Sequence, residues 1–155
     1  MMFLPKKYIV RSSVGKNNHP LGAFDDALLR AGVGNYNLIK VSSILPPACV
    51  LADEITLARG ALLPSAYASI FSANMGTTIS AAVAVGLPED PSMNGVIMEH
   101  SAVAPGKETE NIVRTYVRQA MQARGLVIKD IISVSSEATV ISDEIHCAFA
   151  TVSMW

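Results

Sequence analysis

The feature of this sequence that most restricts its fold is the stretch NLIKVSSILPPACV, residues 37–50. Its first five residues are rich in branched apolar side chains, which is typical of a β-strand. Pro46 and Pro47 have no backbone N–H to donate to a sheet, so the chain must leave regular structure nearby. Ser42 and Ser43 therefore lie at a corner between a strand and a rigid Pro-Pro segment.

The N-terminal part of the chain predicts a strand, a loop and a helix in that order. Residues 7–13, KYIVRSS, are expected to form the first strand, and the polar residues 14–22 to form a loop. The helix is expected over residues 23–32, AFDDALLRAG, where apolar side chains recur at helical spacing and the final glycine ends the helix. Asp25 and Asp26 then fall in its first turn.

The rest of the chain predicts paired strands and a second helix. An irregular stretch is expected up to residues 60–67, GALLPSAY, and the apolar segments 77–87 and 94–100 predict two strands that pair with each other. Residues 106–124 predict the longest helix, followed by Gly125 as its stop. Its apolar stripe consists of Ile112, Val113, Tyr116, Val117, Ala120 and Met121. After short branched strands at the C-terminus, the pattern as a whole indicates a single α/β domain built as a layered sandwich.

Composition narrows the class of protein. Only 16% of the 155 residues are charged and 50% are apolar, against roughly 25% charged in an ordinary soluble domain. No apolar run approaches the 18 or so residues of a membrane span, so the low charge favours a surface buried in an oligomer. The N-terminus lacks the pattern of a signal peptide, which predicts a cytoplasmic protein with Cys49 and Cys147 as two small buried thiols. A net charge of −1 without a basic cluster argues against nucleic acid or an anionic membrane as partner.

Familiar catalytic fingerprints are missing from the sequence. The segment GVGN precedes a strand instead of opening a helix, so it does not predict a phosphate-binding loop. His19, His100 and His146 have no neighbouring ligands at metal spacing, and we expect no metal site. No Gly-x-Ser-x-Gly nucleophile elbow is present, although a Ser-His-Asp triad stays open at this point.

The serine corner, in contrast, allows a specific reaction. A hydroxyl held at a strained corner can attack the carbonyl of the residue before it and turn an amide into an ester. Elimination from that ester would cut the chain between Ser42 and Ser43 and leave dehydroalanine, which hydrolyses to a pyruvoyl group. Such a protein-derived ketone is an electron sink of the kind that pyridoxal cofactors provide.

Three other polar residues can be interpreted in two ways from the sequence alone. Glu99 ends an apolar strand, so it is either exposed at the strand end or kept protonated by burial. Asp25 could bind a planar cation, but an acidic residue in a first helical turn also complements the helix dipole, and Asp26 could serve equally. For Asn37 the residues alone favour a turn position that satisfies local backbone groups over an amide that orients a carbonyl at the corner.

The chain resembles the pyruvoyl-dependent arginine decarboxylases along nearly its whole length. The segments that carry the resemblance, in the order and spacing of that family, are PLGAFDDALLRAGVGNYNLIKVSSILPP, GALLPSAY, ISAAVAVGLPED, GVIMEH, ENIVRTYVRQAMQARG and CAFATVSMW. The resemblance implies a four-layer αββα sandwich that cleaves itself into residues 1–42 and residues 43–155. It also implies a homotrimer, which could pair into a hexamer, with active sites between subunits. The activity implied is decarboxylation of L-arginine to agmatine, through a Schiff base between the substrate amine and the pyruvoyl group and without metal or pyridoxal phosphate.

The resemblance assigns roles to individual residues. Ser43 matches the serine that becomes the pyruvoyl group, and Ser42 the new C-terminus. Glu99 and Asn37 match family residues at the catalytic centre, the first as the proton donor. Asp25 matches the acidic residue for the substrate guanidinium, and Leu28 would share its helix face and pack against the substrate methylenes. His100 stands where we expect an aromatic residue in relatives.

Two alternatives remain open at this level. The chain could be a pyruvoyl enzyme for another basic amino acid, such as lysine or ornithine, since Asp25 would bind an ammonium group as well. It could also be a trimeric binding or structural module that never cleaves, in which Ser42 and Ser43 are an ordinary turn pair.

Overall fold

The computed structural model of the chain describes residues 3–155, which fold into two β-sheets and two helices. The elements in chain order are β1 (Lys7–Asn17), α1 (Pro20–Arg30), β2 (Asn37–Lys40), β3 (Ile44–Leu45), β4 (Val50–Leu51), β5 (Leu62–Ser72), β6 (Thr78–Pro88), β7 (Gly95–Ala102), α2 (Gly106–Ala123), β8 (Ile128–Thr139) and β9 (Ile145–Met154). The first sheet has the strand order β2-β5-β9-β1-β4, and the second has the order β3-β7-β6-β8. Sequence reasoning thus placed the chain in the correct class, a single α/β domain.

The two sheets face each other across an apolar layer to which both contribute. Ala150 and Val152 of β9 pack there against Ile79, Val83 and other residues of the second sheet. Two further apolar clusters lie outside the sheets, one beneath α1 on the first sheet and one beneath α2 on the second. Because side chains alternate across a strand, β6 and β9 are buried on both faces.

Each helix approaches its sheet at a glycine. A Cβ added to Gly15 of β1 would lie 2.3 Å from the Ala23 carbonyl oxygen and from the Ala27 nitrogen of α1. A Cβ added to Gly86 of β6 would lie 2.5 Å from a methyl group of Val117 in α2. These glycines therefore set the distance between helix and sheet, because any larger residue would push the backbones apart.

The second helix is confirmed, and its ends agree with the prediction to within one residue. It covers Gly106–Ala123, and Gly125 has the positive φ of 67° that stops a helix. Four residues of the predicted stripe are buried against the second sheet, namely Val113, Val117, Ala120 and Met121. Tyr116 differs, because it is 40% exposed and meets the ring of His100 edge-on at 5.9 Å.

The first helix begins earlier than the sequence indicated. The predicted loop over residues 14–22 is wrong, because β1 continues to Asn17 and α1 starts at Pro20. His19 is the N-cap, and its Nδ1 accepts a hydrogen bond from the Gly22 N–H at 3.0 Å. Asp25 consequently lies in the second turn, so the prediction that placed it in the first turn is also wrong.

The strand β5 was missed in the sequence, where residues up to GALLPSAY were expected to be irregular. Its small residues and Pro64 hide the alternation, since proline is unusual inside a sheet. The structure accommodates Pro64 because pairing with β9 begins only at Ser65, so the proline needs a partner on the β2 side alone. The C-terminal strands are also longer than expected, with 12 residues in β8 and 10 in β9.

The predicted pairing of the two central apolar segments is confirmed. β6 and β7 pair antiparallel, with Val83 opposite Glu99 and Val85 opposite Ile97. Within residues 3–155, neither helix is long and apolar enough to cross a membrane.

Candidate active site

The serine corner is where the chain crosses from one sheet to the other. On the first sheet, β2 runs parallel to β5, and the Val41 N–H donates to the Ser65 carbonyl oxygen at 3.1 Å. On the second sheet, β3 pairs with β7, and the Ile97 N–H donates to the Ser43 carbonyl oxygen at 2.8 Å. The bond between Ser42 and Ser43 is therefore the link between two separately anchored strands, and a cut there would leave both new ends in place.

The corner itself is a three-residue turn. The Ile44 N–H donates to the Ser42 carbonyl oxygen at 3.2 Å, which closes a turn centred on Ser43. Ser42 is exposed and Ser43 is half-buried, and neither hydroxyl has a hydrogen-bond partner within residues 3–155. The carbonyl that Ser43 would attack thus already has an N–H donor on its oxygen, where negative charge would develop.

The chain leaves regular structure at the Pro-Pro segment as the sequence predicted, but after a short strand, β3, that the sequence did not indicate. β3 contains only two residues, and the Cys49 N–H then donates to the Pro46 carbonyl oxygen at 3.3 Å. Ala48 has a φ of 57° and is the non-glycine residue with positive φ among those described. Pro47 and Ala48 therefore form the centre of a tight turn, which reverses the chain directly after the serine corner.

Glu99 lies next to this corner on β7. Side chains alternate along a strand, so Glu99 shares the face of Ile97, which points into the layer between the sheets. Its Oε2 is buried and has no hydrogen-bond partner among the described residues. Burial raises the pKa of Glu99, and the positive charge of Lys40 only partly opposes that rise. Of the two sequence interpretations, the structure favours a buried carboxyl group with a raised pKa over one exposed at the strand end.

Asn37 is placed away from the serines within one chain. It begins β2, and its side-chain amide donates to the Gly60 carbonyl oxygen at 2.7 Å. Five residues of extended chain separate it from Ser42, a distance of about 16 Å. The amide thus satisfies a local backbone group, which was the plainer of the two interpretations of this residue.

Asp25 and Asp26 are distinguished by the structure. Asp26 accepts hydrogen bonds from the Lys16 N–H at 3.0 Å and from Arg30 Nε at 3.1 Å, so its carboxylate is already occupied. Asp25 is exposed and has no hydrogen bond or ion pair within the part of the chain described here. Because Asp25 also lies beyond the first turn, the helix dipole is a weak explanation for it. It is the carboxylate that is free to bind a cation.

Asp25 faces a shallow groove that is separate from the serine corner. The groove encloses about 540 Å³ and is also lined by His19, Gly22 and Leu29 of the same helix region. Leu28 instead packs partly into the apolar cluster beneath α1, whereas Leu29 is half exposed. Within a single chain the predicted substrate-binding residues are therefore not brought together with Ser43 and Glu99.

The strand register gives an estimate of the distance between the groove at Asp25 and the serine corner. Lys16, which bonds to Asp26, is aligned through β9 with Ser72 of β5, while Val41 is bonded at Ser65. Seven residue steps along β5 separate these levels, which corresponds to roughly 20 Å along the strand. One arginine molecule does not span that distance.

Sequence reasoning overlooked Lys40 and Tyr67. The Lys40 Nζ lies 4.6 Å from the centre of the Tyr67 ring, on the outer face of the first sheet. Tyr67 is held in turn by ring contacts with Phe24 and Phe149. A lysine two residues before the serine pair was the available signal, but only the pairing of β2 with β5 puts an aromatic ring beneath it.

Other polar groups do not form a second centre. Among residues 3–155 no group of three or more histidine, cysteine or acidic side chains could hold a metal ion. Both cysteines are free thiols: Cys147 is buried and Cys49 is half-buried. Burial raises the pKa of Cys147 to about 12, which keeps it a neutral thiol.

Comparison with known proteins agrees with this geometry. The site combines a serine corner anchored on two sheets of an α/β domain with a buried carboxyl oxygen that has no partner within residues 3–155. The family model described as pyruvoyl-dependent arginine decarboxylase matches residues 7–154, and the chain belongs to the pyruvoyl-dependent arginine decarboxylase family.

Individual relatives support the same family. The chain is 47% identical over 141 residues to the pyruvoyl-dependent arginine decarboxylase of Methanococcus aeolicus, which covers 91% of this chain and 84% of that protein. It is 41% identical over 152 residues to the enzyme of that name from Methanocaldococcus jannaschii, and the alignment covers 98% of this chain and 91% of that protein. It is 40% identical over 153 residues to that of Pyrococcus abyssi, with 97% and 96% covered.

Proposed function

We propose that this chain is a self-processing decarboxylase that converts L-arginine to agmatine and carbon dioxide, with a pyruvoyl group made from Ser43. Family membership supports the reaction and the prosthetic group. The observation that carries the assignment to particular atoms is the crossover corner, where the bond between Ser42 and Ser43 joins two anchored strands beside Glu99.

Self-cleavage begins with attack of the Ser43 Oγ on the carbonyl carbon of Ser42. The Ile44 N–H already donates to that carbonyl oxygen and stabilises the oxyanion. The amide becomes an ester, and elimination then releases the carboxylate of Ser42 and leaves dehydroalanine at position 43. Hydrolysis gives the ketone and ammonia, so the mature protein consists of residues 1–42 and residues 43–155.

The site residues fit such a group at position 43. The ketone supplies an electron sink for the electron pair that stays on the substrate when carbon dioxide leaves. Glu99 points into the same layer and carries a buried oxygen without a partner, so a protonated Glu99 donates its proton to the substrate carbon. The Ile97 N–H continues to hold the carbonyl of residue 43 and fixes its position.

Substrate recognition is assigned to Asp25, with Leu28 beside it. A carboxylate accepts two parallel hydrogen bonds from a guanidinium group, and Asp25 is unoccupied whereas Asp26 is not. Since the level of Lys16, the partner of Asp26, lies roughly 20 Å along the strand from the serine corner in one chain, the Asp25 of a second copy would complete the site. Asn37 would likewise act on the corner of a neighbouring copy.

The assembly that follows is a homotrimer, which could pair into a hexamer. Apolar residues around the corner support it, because Ile39, Ile44 and Leu62 are all exposed in the single chain. The layer order of each copy is α1, first sheet, second sheet and α2, a four-layer αββα sandwich supported by the three apolar clusters.

The intact mass under denaturing conditions tests the processing step. Two fragments that meet between residues 42 and 43 are expected, with the larger one reducible by borohydride at its first residue. A single full-length mass after long incubation would instead support a module that never cleaves.

Substrate class is tested by carbon dioxide release from arginine, lysine and ornithine. Arginine should be preferred, and Asp25→Asn should raise its KM about 10-fold or more, because a charge-assisted pair is worth about 1.5–3 kcal/mol. Asp26→Asn is the matched control, which should affect stability more than KM. Equal turnover of lysine would point to a pyruvoyl enzyme for another basic amino acid.

A further inference from the structure

Lys40 is a cation at the processing corner for which the reaction described above has no use. It is the last residue of β2, and its side chain is exposed. Within residues 3–155 its ammonium group forms no ion pair, and its defined contact is the face of the Tyr67 ring at 4.6 Å. An aromatic ring beneath a lysine restricts where the charge can lie.

The register of the sheet puts this charge at the level of the bond that is cut. Lys40 pairs with Ser65 in the parallel β2–β5 ladder, and the next residue, Val41, still bonds to the Ser65 carbonyl. β2 ends at Lys40, and Ser42 follows only two residues later. Lys40 is therefore two residues from the carbonyl that becomes the carboxylate, and its charge also acts on Glu99, whose pKa it lowers against the effect of burial.

We propose that the Lys40 ammonium group stabilises the carboxylate of Ser42 as it leaves during self-cleavage, with Tyr67 holding the charge in place. This inference rests on the proposed function, since it concerns the second step of the same processing reaction. It gives the two steps different stabilising groups, the Ile44 N–H for ester formation and Lys40 for elimination.

The balance of the elimination step shows why a cation is needed there. The proton on the Ser43 Cα passes to Glu99 in its ionised form, which the nearby Lys40 charge favours, and its bonding pair forms the Cα–Cβ double bond. The bond between Cβ and Oγ breaks, and its electron pair leaves with Oγ as part of the Ser42 carboxylate. A neutral ester thus becomes a full negative charge at Ser42, and a nearby ammonium group attracts that charge as it forms.

The test follows self-cleavage of freshly synthesised chain by intact mass, with and without hydroxylamine. Hydroxylamine cuts an ester but not an amide, so it reveals chain that has stopped before elimination. Lys40→Met should slow maturation by roughly 10–100-fold, less than the full 10²–10³ of an enclosed oxyanion donor because the lysine is exposed. The retarded chain should accumulate as hydroxylamine-sensitive ester.

Matched variants separate the charge from the side-chain stem. Lys40→Arg keeps the charge and should mature close to the wild-type rate, and Lys107→Met removes an exposed lysine on α2 and should have no effect. Tyr67→Phe keeps the ring and should mature normally, whereas Tyr67→Leu frees the ammonium group and should accumulate the same ester. If Lys40→Met does not fold, the two Tyr67 variants decide the question.

Each result supports or overturns the inference. Maturation of Lys40→Met at the wild-type rate overturns it, and so does slow maturation with only uncut amide, which would mean that Lys40 merely supports the fold. In both cases normal cleavage of the wild-type chain would leave the proposed function standing. A wild-type chain that never cleaves would overturn both.

Discussion

Replacing Glu99 by Gln tests whether its carboxyl group donates the proton that completes turnover. The change keeps the size of the side chain in the layer between the sheets but removes the acidic hydrogen. Glu99 Oε2 has no hydrogen-bond partner within residues 3–155, so no other donor is positioned to replace it through that oxygen. General acid catalysis is worth about 10²–10⁴ in rate, or about 2.7–5.4 kcal/mol of barrier.

The assay must separate turnover from maturation, because the same carboxyl group is also assigned to the elimination step. The pyruvoyl content of Glu99→Gln is therefore measured by borohydride reduction and mass, and agmatine formation is expressed per pyruvoyl group. Turnover should fall by about 10²–10⁴. Arginine should still become covalently attached to the protein on borohydride treatment. Glu89→Gln, an exposed residue in the turn after β6, is the control and should behave as wild type. Near-normal agmatine formation per pyruvoyl group would refute the role given to Glu99.

Three further results follow from the same geometry. Ser43→Ala should stay a single full-length chain and still fold, since it removes one half-buried hydroxyl; two fragments at this bond would show that the nucleophile is another group. In the Ser43→Ala chain, the free energy of unfolding should fall as pH rises from the ordinary glutamate range through the raised pKa of Glu99. The folded state holds that proton more tightly than the unfolded state, so the loss is about 1.4 kcal/mol for each unit by which the folded pKa of Glu99 exceeds its unfolded pKa. The loss should disappear when Glu99→Gln is added. An unchanged dependence of stability on pH would contradict the burial argument. Gly15→Ala should lower the free energy of unfolding in urea by about 3 kcal/mol or more, because the added Cβ would lie 2.3 Å from the α1 backbone. Gly32→Ala is the control, since its Cβ has no atom within 4 Å and the change strains only a φ of 79°. Equal losses of unfolding free energy would refute the close approach of α1 to β1.

Several elements could be predicted from the sequence because their signals are local. The helix α2 carries a stripe of period 3.6 and a glycine stop, and both depend only on residues within a few turns of each other. The serine corner is equally local, since Pro46 and Pro47 end a strand in any fold. Family resemblance added the roles of Ser43 and Glu99, which no periodicity could have supplied.

The ends of the strands and their pairing partners could be predicted less well from the sequence. β1 runs into residues that read as a polar loop, because its ladder with β9 extends to Asn17 irrespective of side-chain polarity. β5 carries a proline and many small residues, and it is a strand because β2 and β9 both pair with it. Strand propensity depends on neighbours in space, so the end of β1 and the whole of β5 were not visible in the sequence.

The sequence by itself determined that a strand must break at Ser42 and Ser43, and that an apolar strand ends in Glu99. Only the tertiary structure decided that the two strands flanking the corner belong to different sheets, that Glu99 faces the layer between them, and that Lys40 lies over Tyr67. It also decided that Asp25 is free while Asp26 is bound to Lys16 and Arg30. These facts depend on contacts between residues far apart in the chain, and a local pattern carries no information about which distant residue will be its neighbour.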